Sequence, residues 1–438
     1  MPCPINNFLG RVCSDSTPFV LGKRFVILIL EMTWRGRAHT PGNSATIETI
    51  ARAFPGEKIR VFAEAEHLAA LGQILAGGGE GRIGFFPAAD PAYLQGKTGI
   101  VSARRAAREF TTLRRALAGV PAGEKILLFL LSATSTAVFA ASLIARLDRR
   151  VVGVHLGMHG NLNEITGWRS RNPLRRAFDL RAALAAKHPP QVRFLVLEEA
   201  IRRELARLLP QAGARADVLP LPVNLAELNG APSPSFAPPW RFGLIGQATK
   251  AKGIEVFLDL AERMKARFGD RVAFYVIGMI RGDQQDPRFA ALAHPPDRGG
   301  LIREAFTARL AAMHYILMPL APEYYALSAS GAVVDAITWE KPMIATPIPI
   351  IDDLFARWGD LGQLCAGAEE MAAAIARVVE TPDPARYAAQ QETLHRVRES
   401  RAPARLAASY AALVAEKFPD FPASALACVS PACVSPGD

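Results

Sequence analysis

The chain has 438 residues, too many for one ordinary hydrophobic core, so two or three domains are expected. Hydrophobic residues make up 50% and charged residues 21%, which excludes a disordered chain. The formal net charge of +10 is carried mostly by Arg. No Lys/Arg block is interleaved with aromatics, which argues against nucleic acid and leaves an anionic substrate or an anionic membrane surface.

Residues 1–22 lack a charged start followed by an apolar core, so they read as an irregular tail rather than a signal peptide. From residue 23 short apolar runs alternate with helical patterns, as in parallel sheets with crossover helices. Strands are expected at 25–30, 59–63, 83–86, 126–131, 151–155, 192–197 and 216–219. Helices are expected at 44–54, 102–118, 133–147, 172–187 and 198–208. Residues 126–145 carry no charge and are long enough to span a bilayer, but Ser132, Thr134, Ser135 and Thr136 interrupt them, so strand, turn and helix is the better reading. This first unit covers 23–224, and the Pro- and Ser-rich stretch 225–240 reads as a linker.

The alternation restarts over 241–400, with strands at 241–245, 272–277, 315–319 and 342–346. Helices fall at 253–267, 301–314, 330–340, 368–379 and 385–399. A helix within 401–420 is placed to return to the N-terminal unit, and 421–438, with ACVSP repeated, reads as a disordered tail. The expected fold is α/β, with two Rossmann-like doubly wound domains facing across a cleft. Cys3, Cys13, Cys365, Cys428 and Cys433 have neither zinc-ligand spacing nor a disulfide pattern, which favours a reducing cytoplasm.

Three stretches of the second unit carry chemistry. In 326–346 a small-residue loop, Ser328 to Gly331, opens a helix with Asp335 one turn inside it. Helix N-termini carry free N–H groups and partial positive charge, small residues let an anion approach, and a carboxylate can accept sugar hydroxyls. A capped core helix is the plain alternative, since Ser is a common N-cap. In 243–253 Gly246 starts a tight turn and Lys250 and Lys252 precede a helix at Gly253, an arrangement suited to a diphosphate or, equally, to a solvated loop. It is neither a P-loop nor a dinucleotide fingerprint. Gly278, just past a strand, permits close backbone approach.

Lys-Gly at 252–253, F-Y-V-I-G at 274–278, Tyr324 and Tyr325, S-G-x-x-x-D-A at 330–336 and K-P-M-I-A-T at 341–346 follow one another in an order that resembles the C-terminal half of retaining nucleotide-sugar glycosyltransferases of the GT-B fold, group 1 or family-4-like. The likeness covers roughly 241–380, and the N-terminal half is similar only in layout. It implies that Lys252 holds the leaving diphosphate, that the amides of Ser330 and Gly331 donate to the same phosphates, and that Asp335 takes the place of a ribose-binding Glu. The donor site would then comprise Gly246, Lys250, Lys252, Gly278, Tyr325, Ser328, Ser330, Gly331 and Asp335. Two positions depart from the pattern: Gln247 replaces an Arg, for which Lys250 is a substitute, and Leu327 replaces an acid.

In the first unit, loop 31–44 precedes a helix capped by Asn43 or Ser44. In such transferases the matching loop lies over donor phosphates and acceptor, which makes Arg37, His39 and Gly42 acceptor-side candidates beside the reading as an ordinary surface loop. His159, after the fifth strand, would face the cleft and could take a proton or orient an acceptor hydroxyl; a structural histidine is the alternative. Arg-rich stretches at 101–118 and 169–176 could meet anionic lipid or simply be solvated.

The resemblance implies no cofactor and no metal beyond a nucleotide-diphosphate sugar as co-substrate. His159 and Lys252 are the catalytic candidates. The acceptor would be a glycan or lipid-linked glycan in cell-surface polysaccharide synthesis, the enzyme cytoplasmic or peripheral at the inner membrane face. A nucleotide-sugar epimerase and an inactive glycan-binding homologue stand as alternatives.

Overall fold

A computed structural model describes residues 25–75, 82–88, 99–167, 170–228, 234–280 and 286–421. The expectations for 1–22 and for 422–438 lie outside these residues.

Seven strands form the first sheet: β1 Phe25–Leu30, β2 Lys58–Ala63, β3 Ile83–Pro87, β4 Lys125–Leu130, β5 Val151–Gly157, β6 Val192–Val196 and β7 Ala216–Val218. Their order is β3-β2-β1-β4-β5-β6-β7, and every neighbouring pair is parallel. Five strands form the second: β8 Trp240–Gln247, β9 Val272–Met279, β10 Tyr315–Met318, β11 Met343–Ala345 and β12 Gly362–Leu364. Their order is β12-β11-β10-β8-β9, again all parallel. Helices cover both faces of such sheets, which is why β1 is one unbroken apolar run with all six residues buried. The fold is therefore α/β with two Rossmann-like units.

In each sheet the strand order turns back at one place, between β1 and β4 in the first and between β8 and β10 in the second. Chains leaving the carboxyl ends of two such strands diverge to opposite faces and leave a crevice between them. The loops after β1, β4, β8 and β10 are therefore the ones that topology brings to a ligand.

Several expectations need correcting. The helix expected at 172–187 is two short ones, Pro173–Ala177 and Leu180–Ala185, because Asp179 turns back to accept from the amide of Ala182 at 2.7 Å and starts a new cap. The helix after β1 begins at Thr40, earlier than Asn43 or Ser44 could cap it. Helix Ala65–Leu75 and strand β12 were not singled out; β12 has three residues, too few to show a period. Stretch 225–240 is more than a linker: Leu225–Leu228 is a turn of 3-10 helix, and Trp240, 1% exposed, already belongs to β8. Segment 126–145 is β4 and helix Ser135–Leu147, and among the described residues no helix is long and apolar enough to cross a membrane.

Helix Pro403–Lys417 lies on helix Thr40–Ala53 of the first unit, with Tyr410 edge-on to Phe54 at 6.0 Å and Phe421 edge-on to Phe25 at 4.8 Å. Helix Pro384–Ser400 packs instead on Gly331–Thr338 of the second. The chain so passes between the units twice, and at the second crossing Arg401 pairs with Glu198 at 2.7 Å, both largely buried.

Candidate functional site

A cavity of about 1770 Å³ lies between the two units and is lined by loops from the carboxyl ends of both sheets. Its C-terminal wall is built from backbone. β8 ends at Gln247, and a turn of 3-10 helix, Lys250–Lys252, follows, capped by Thr249, whose Oγ1 accepts from the Lys252 amide at 3.3 Å. Gly253 then has φ +73°, and any Cβ there would run into the carbonyl oxygen of Pro319 after β10. Only glycine lets the loops of β8 and β10 approach this closely. Lys252 folds back over the end of β8: Nζ donates to the carbonyl of Ile245 at 3.0 Å and covers Gly246, where a Cβ would collide with it. Burial lowers the Lys252 pKa, and Asp335 opposes that shift. Lys252 and Asp335 both line the cavity.

Ser328, Ser330 and Gly331 line the same wall. Helix Gly331–Thr338 starts without a side-chain cap, and the hydroxyl of Ser330, 4% exposed, lies beside the Tyr325 phenol. Free N–H groups at an uncapped helix start carry partial positive charge and can accept an anion. One turn in, burial pushes the Asp335 carboxyl up to about 6, against the pull of Arg303 and Lys252 and with the repulsion of Glu227. Arg303 Nη2 is 3.7 Å from Asp335 Oδ1, and its Nε donates to Glu227 Oε1 at 2.9 Å. Tyr325 lines the wall too, buried and with its phenol pushed up to about 12 by that burial.

The N-terminal wall is built from side chains. Glu31, at the end of β1 and 2% exposed, accepts from the amides of Thr33 at 2.7 Å and Trp34 at 3.1 Å and from Asn43 Nδ2 at 3.2 Å. Burial pushes its carboxyl up to about 7. Asn43 Nδ2 also lies 3.1 Å from His67 Nε2, so this residue ties the loop together from inside the helix instead of capping it. So held, Trp34 donates Nε1–H to Ser132 Oγ at 3.1 Å and stacks on His39, ring centroids 3.8 Å apart. His39 meets His159 edge-on at 4.9 Å. His39 is in the left-handed region, with φ 60°, a strained conformation of the kind that collects at functional sites. Burial lowers the pKa of both imidazoles, His159 to about 4, and their proximity lowers His39 further. Both are neutral at pH 7, so His159 is a weak base and better suited to orienting a hydroxyl. Arg37, Gly42, Arg105 and the hydroxyl-rich Ser132 to Thr136 complete the wall. Arg105 is no lipid-facing residue: it lines the cavity and pairs with the buried Glu109 at 3.0 Å.

Of the thirteen residues expected at the site, ten line this one cavity: Arg37, His39, Gly42, His159, Lys252, Tyr325, Ser328, Ser330, Gly331 and Asp335. Lys250 does not; it is exposed on the turn, so it is no substitute for the side chain absent at 247. Gly246 and Gly278 pair across β8 and β9, where a Cβ on Gly278 would strike the Gly246 carbonyl, so Gly278 serves strand packing. Leu327 is 1% exposed in the core. Trp34, Arg303 and Glu227 were missed: Trp34 stood unremarked in loop 31–44, and no local pattern distinguishes an Arg at a helix start or a Glu in a Pro-rich stretch.

No protein-family model matches the chain, and no curated protein matches it in sequence. Solved structures match it along its length. Anabaena HepE in complex with UDP-glucose is 15% identical at a TM-score of 0.56, over 90% of this chain and 100% of that one. The catalytic domain of Arabidopsis thaliana starch synthase IV, bound to ADP and acarbose, is 10% identical at 0.62, over 90% and 100%. WaaG, a glycosyltransferase involved in lipopolysaccharide biosynthesis, is 12% identical at 0.53, over 89% and 99%. At these identities the likeness concerns architecture, and the architecture is that of the two-domain GT-B fold, which this chain adopts.

Proposed function

We propose that the protein is a glycosyltransferase that moves a sugar from a nucleotide-diphosphate donor to a hydroxyl of a glycan or lipid-linked acceptor. The observation that carries this reading is that the uncapped start of helix Gly331–Thr338 and Lys252 line one cavity at the switch point of the second sheet. In the reaction the bond between the anomeric carbon and the phosphate oxygen breaks and its electron pair leaves with the diphosphate. The acceptor hydroxyl oxygen forms the new bond, and its proton passes to the departing phosphate oxygen. Lys252 and the helix-terminal amides stabilise the departing charge, and they are in place before the reaction, so little reorganisation is needed. Asp335 accepts hydroxyls of the nucleotide ribose. The acceptor lies on the Trp34, His39 and His159 wall, where His159 orients its hydroxyl. Closing the two units over the cleft excludes water and limits hydrolysis.

Anabaena HepE with UDP-glucose, starch synthase IV with ADP and acarbose, and WaaG in lipopolysaccharide biosynthesis support a nucleotide-sugar donor and a cell-surface glycan product. A cytoplasmic enzyme working at the inner membrane face follows from that reading. The test is a donor screen by mass spectrometry with the purified chain. Consumption of one nucleotide sugar in an acceptor-dependent way is the expected result; no consumption and no nucleotide binding would sink the reading. One observation favours a second reading, a glycan-binding homologue without catalysis: Leu327 places an apolar side chain in the core beside the site. That protein would bind glycans and leave every nucleoside diphosphate unbound in isothermal titration.

A further inference from the structure

A nucleoside diphosphate brings two to three negative charges, more than one ammonium and a helix terminus neutralise in a half-closed cavity. Among the described residues, the cations lining the C-terminal wall are Lys252 and Arg303. The Arg303 side chain is 34% exposed, so one edge meets the cavity solvent. Its other edge is fixed. Nε donates to Glu227 Oε1 at 2.9 Å and Nη2 to Glu227 Oε2, a two-point clamp. The ring of Phe306 lies under the guanidinium, 4.6 Å from Cζ. Glu227 is itself steadied by Asn224 Nδ2 at 3.3 Å. Arg303 Nη2 also reaches Asp335, one turn inside the candidate diphosphate helix, but at 3.7 Å, beyond charge-assisted hydrogen-bond length. So the guanidinium, partly exposed to the cavity, is clamped by Glu227 beside the helix that carries Asp335, with its Asp335 contact longer than a charge-assisted hydrogen bond.

Building on the transferase reading above, we propose that Arg303 is a second cationic contact for the donor's diphosphate, with Glu227, on the segment that joins the two units, as its positioning residue. When phosphate oxygens take the forward edge of the guanidinium, Asp335 is relieved of its loose partner and turns to the ribose. The chain therefore carries its two diphosphate cations on different elements, one at the end of β8 and one at the start of helix Arg303–Ala311.

The test is isothermal titration of the full chain with the nucleoside diphosphates of uridine, guanosine and adenosine and with their monophosphates. Wild type should bind one diphosphate more tightly than its monophosphate. Arg303→Gln should weaken that diphosphate at least tenfold and the monophosphate less than twofold. Arg303→Lys should recover part of the loss, and Glu227→Gln should lose three- to fivefold with the same diphosphate bias. Equal losses for both ligands, or no loss, would overturn the assignment while leaving the transferase reading intact. Wild type that binds no nucleotide would instead remove that reading and this inference with it. If Arg303→Gln fails to unfold cooperatively, Glu227→Gln decides: an unchanged diphosphate preference there counts against the proposal.

Discussion

The two walls of the cleft solve different problems with different materials. The C-terminal wall uses backbone and fixed charge: glycine turns, a helix start and the alternating row Lys252, Asp335, Arg303, Glu227. The N-terminal wall adds neutral rings and hydroxyls to Arg37 and Arg105: Trp34 stacked on His39, His159 edge-on, Ser132 and Thr134 beside them. Preorganised charge suits a ligand whose charge grows as a bond breaks. Amphipathic rings with few torsions suit a sugar, which has apolar faces and polar edges. On the proposed reading, the leaving group sits against the charged wall and the acceptor against the ring-lined one.

The strongest way to break this comparison is to ask whether the first wall is desolvated. Glu31 holds its loop with a carboxyl raised from 4.5 to about 7 by burial. The folded chain then keeps this proton to higher pH than the unfolded one, so the ionised group costs stability, increasingly from pH 4.5 to about 7 and fully above that. Glu31→Gln keeps the acceptor oxygen for Thr33 and Trp34 and should be about 3 kcal/mol more stable than wild type at pH 8, with no difference at pH 4. Thermal unfolding against pH measures it; parallel curves would mean a solvated Glu31. Next in size, Lys252→Ala should weaken nucleoside-diphosphate binding by about 1.5–3 kcal/mol, read by isothermal titration. An unaltered affinity would leave the second wall without its ammonium. Trp34→Ala should spare diphosphate affinity and lower kcat/KM for the acceptor about tenfold, the worth of a lost stacking surface; steady-state kinetics with varied acceptor would expose a donor role as a raised donor KM. Smallest, Lys250→Ala should shift diphosphate affinity by under about 0.5 kcal/mol, because its charge is exposed and outside the cavity. A larger shift would mean that the turn rearranges on binding.

How far sequence reasoning reached depended on whether a signal was local. The loop Ser328 to Gly331, the lysine before Gly253 and the acid one turn into a helix lie within a few residues of the elements that present them, and all reach the cleft. Lys250 failed because it and Lys252 are two residues apart on one turn, and only the turn's capping decides which ammonium faces inward. Asn43 looked like a cap and is a bridge, since its partners Glu31 and His67 lie 12 and 24 residues away. Arg303 and Glu227 are 76 residues apart and meet only in space.

Periodicity and apolar runs were enough to determine two α/β units, because burial on both faces of a parallel sheet demands unbroken Val, Ile, Leu and Phe at fixed intervals, and that demand is written along the chain. Helix starts and glycine turns were equally plain, being properties of a few adjacent torsion angles. Which charges share the cavity, which histidines stay neutral and which carboxylate holds a loop were settled by tertiary structure alone. Coulombic and desolvation energies depend on distance and on surrounding protein, and folding sets both for residues that the chain keeps far apart.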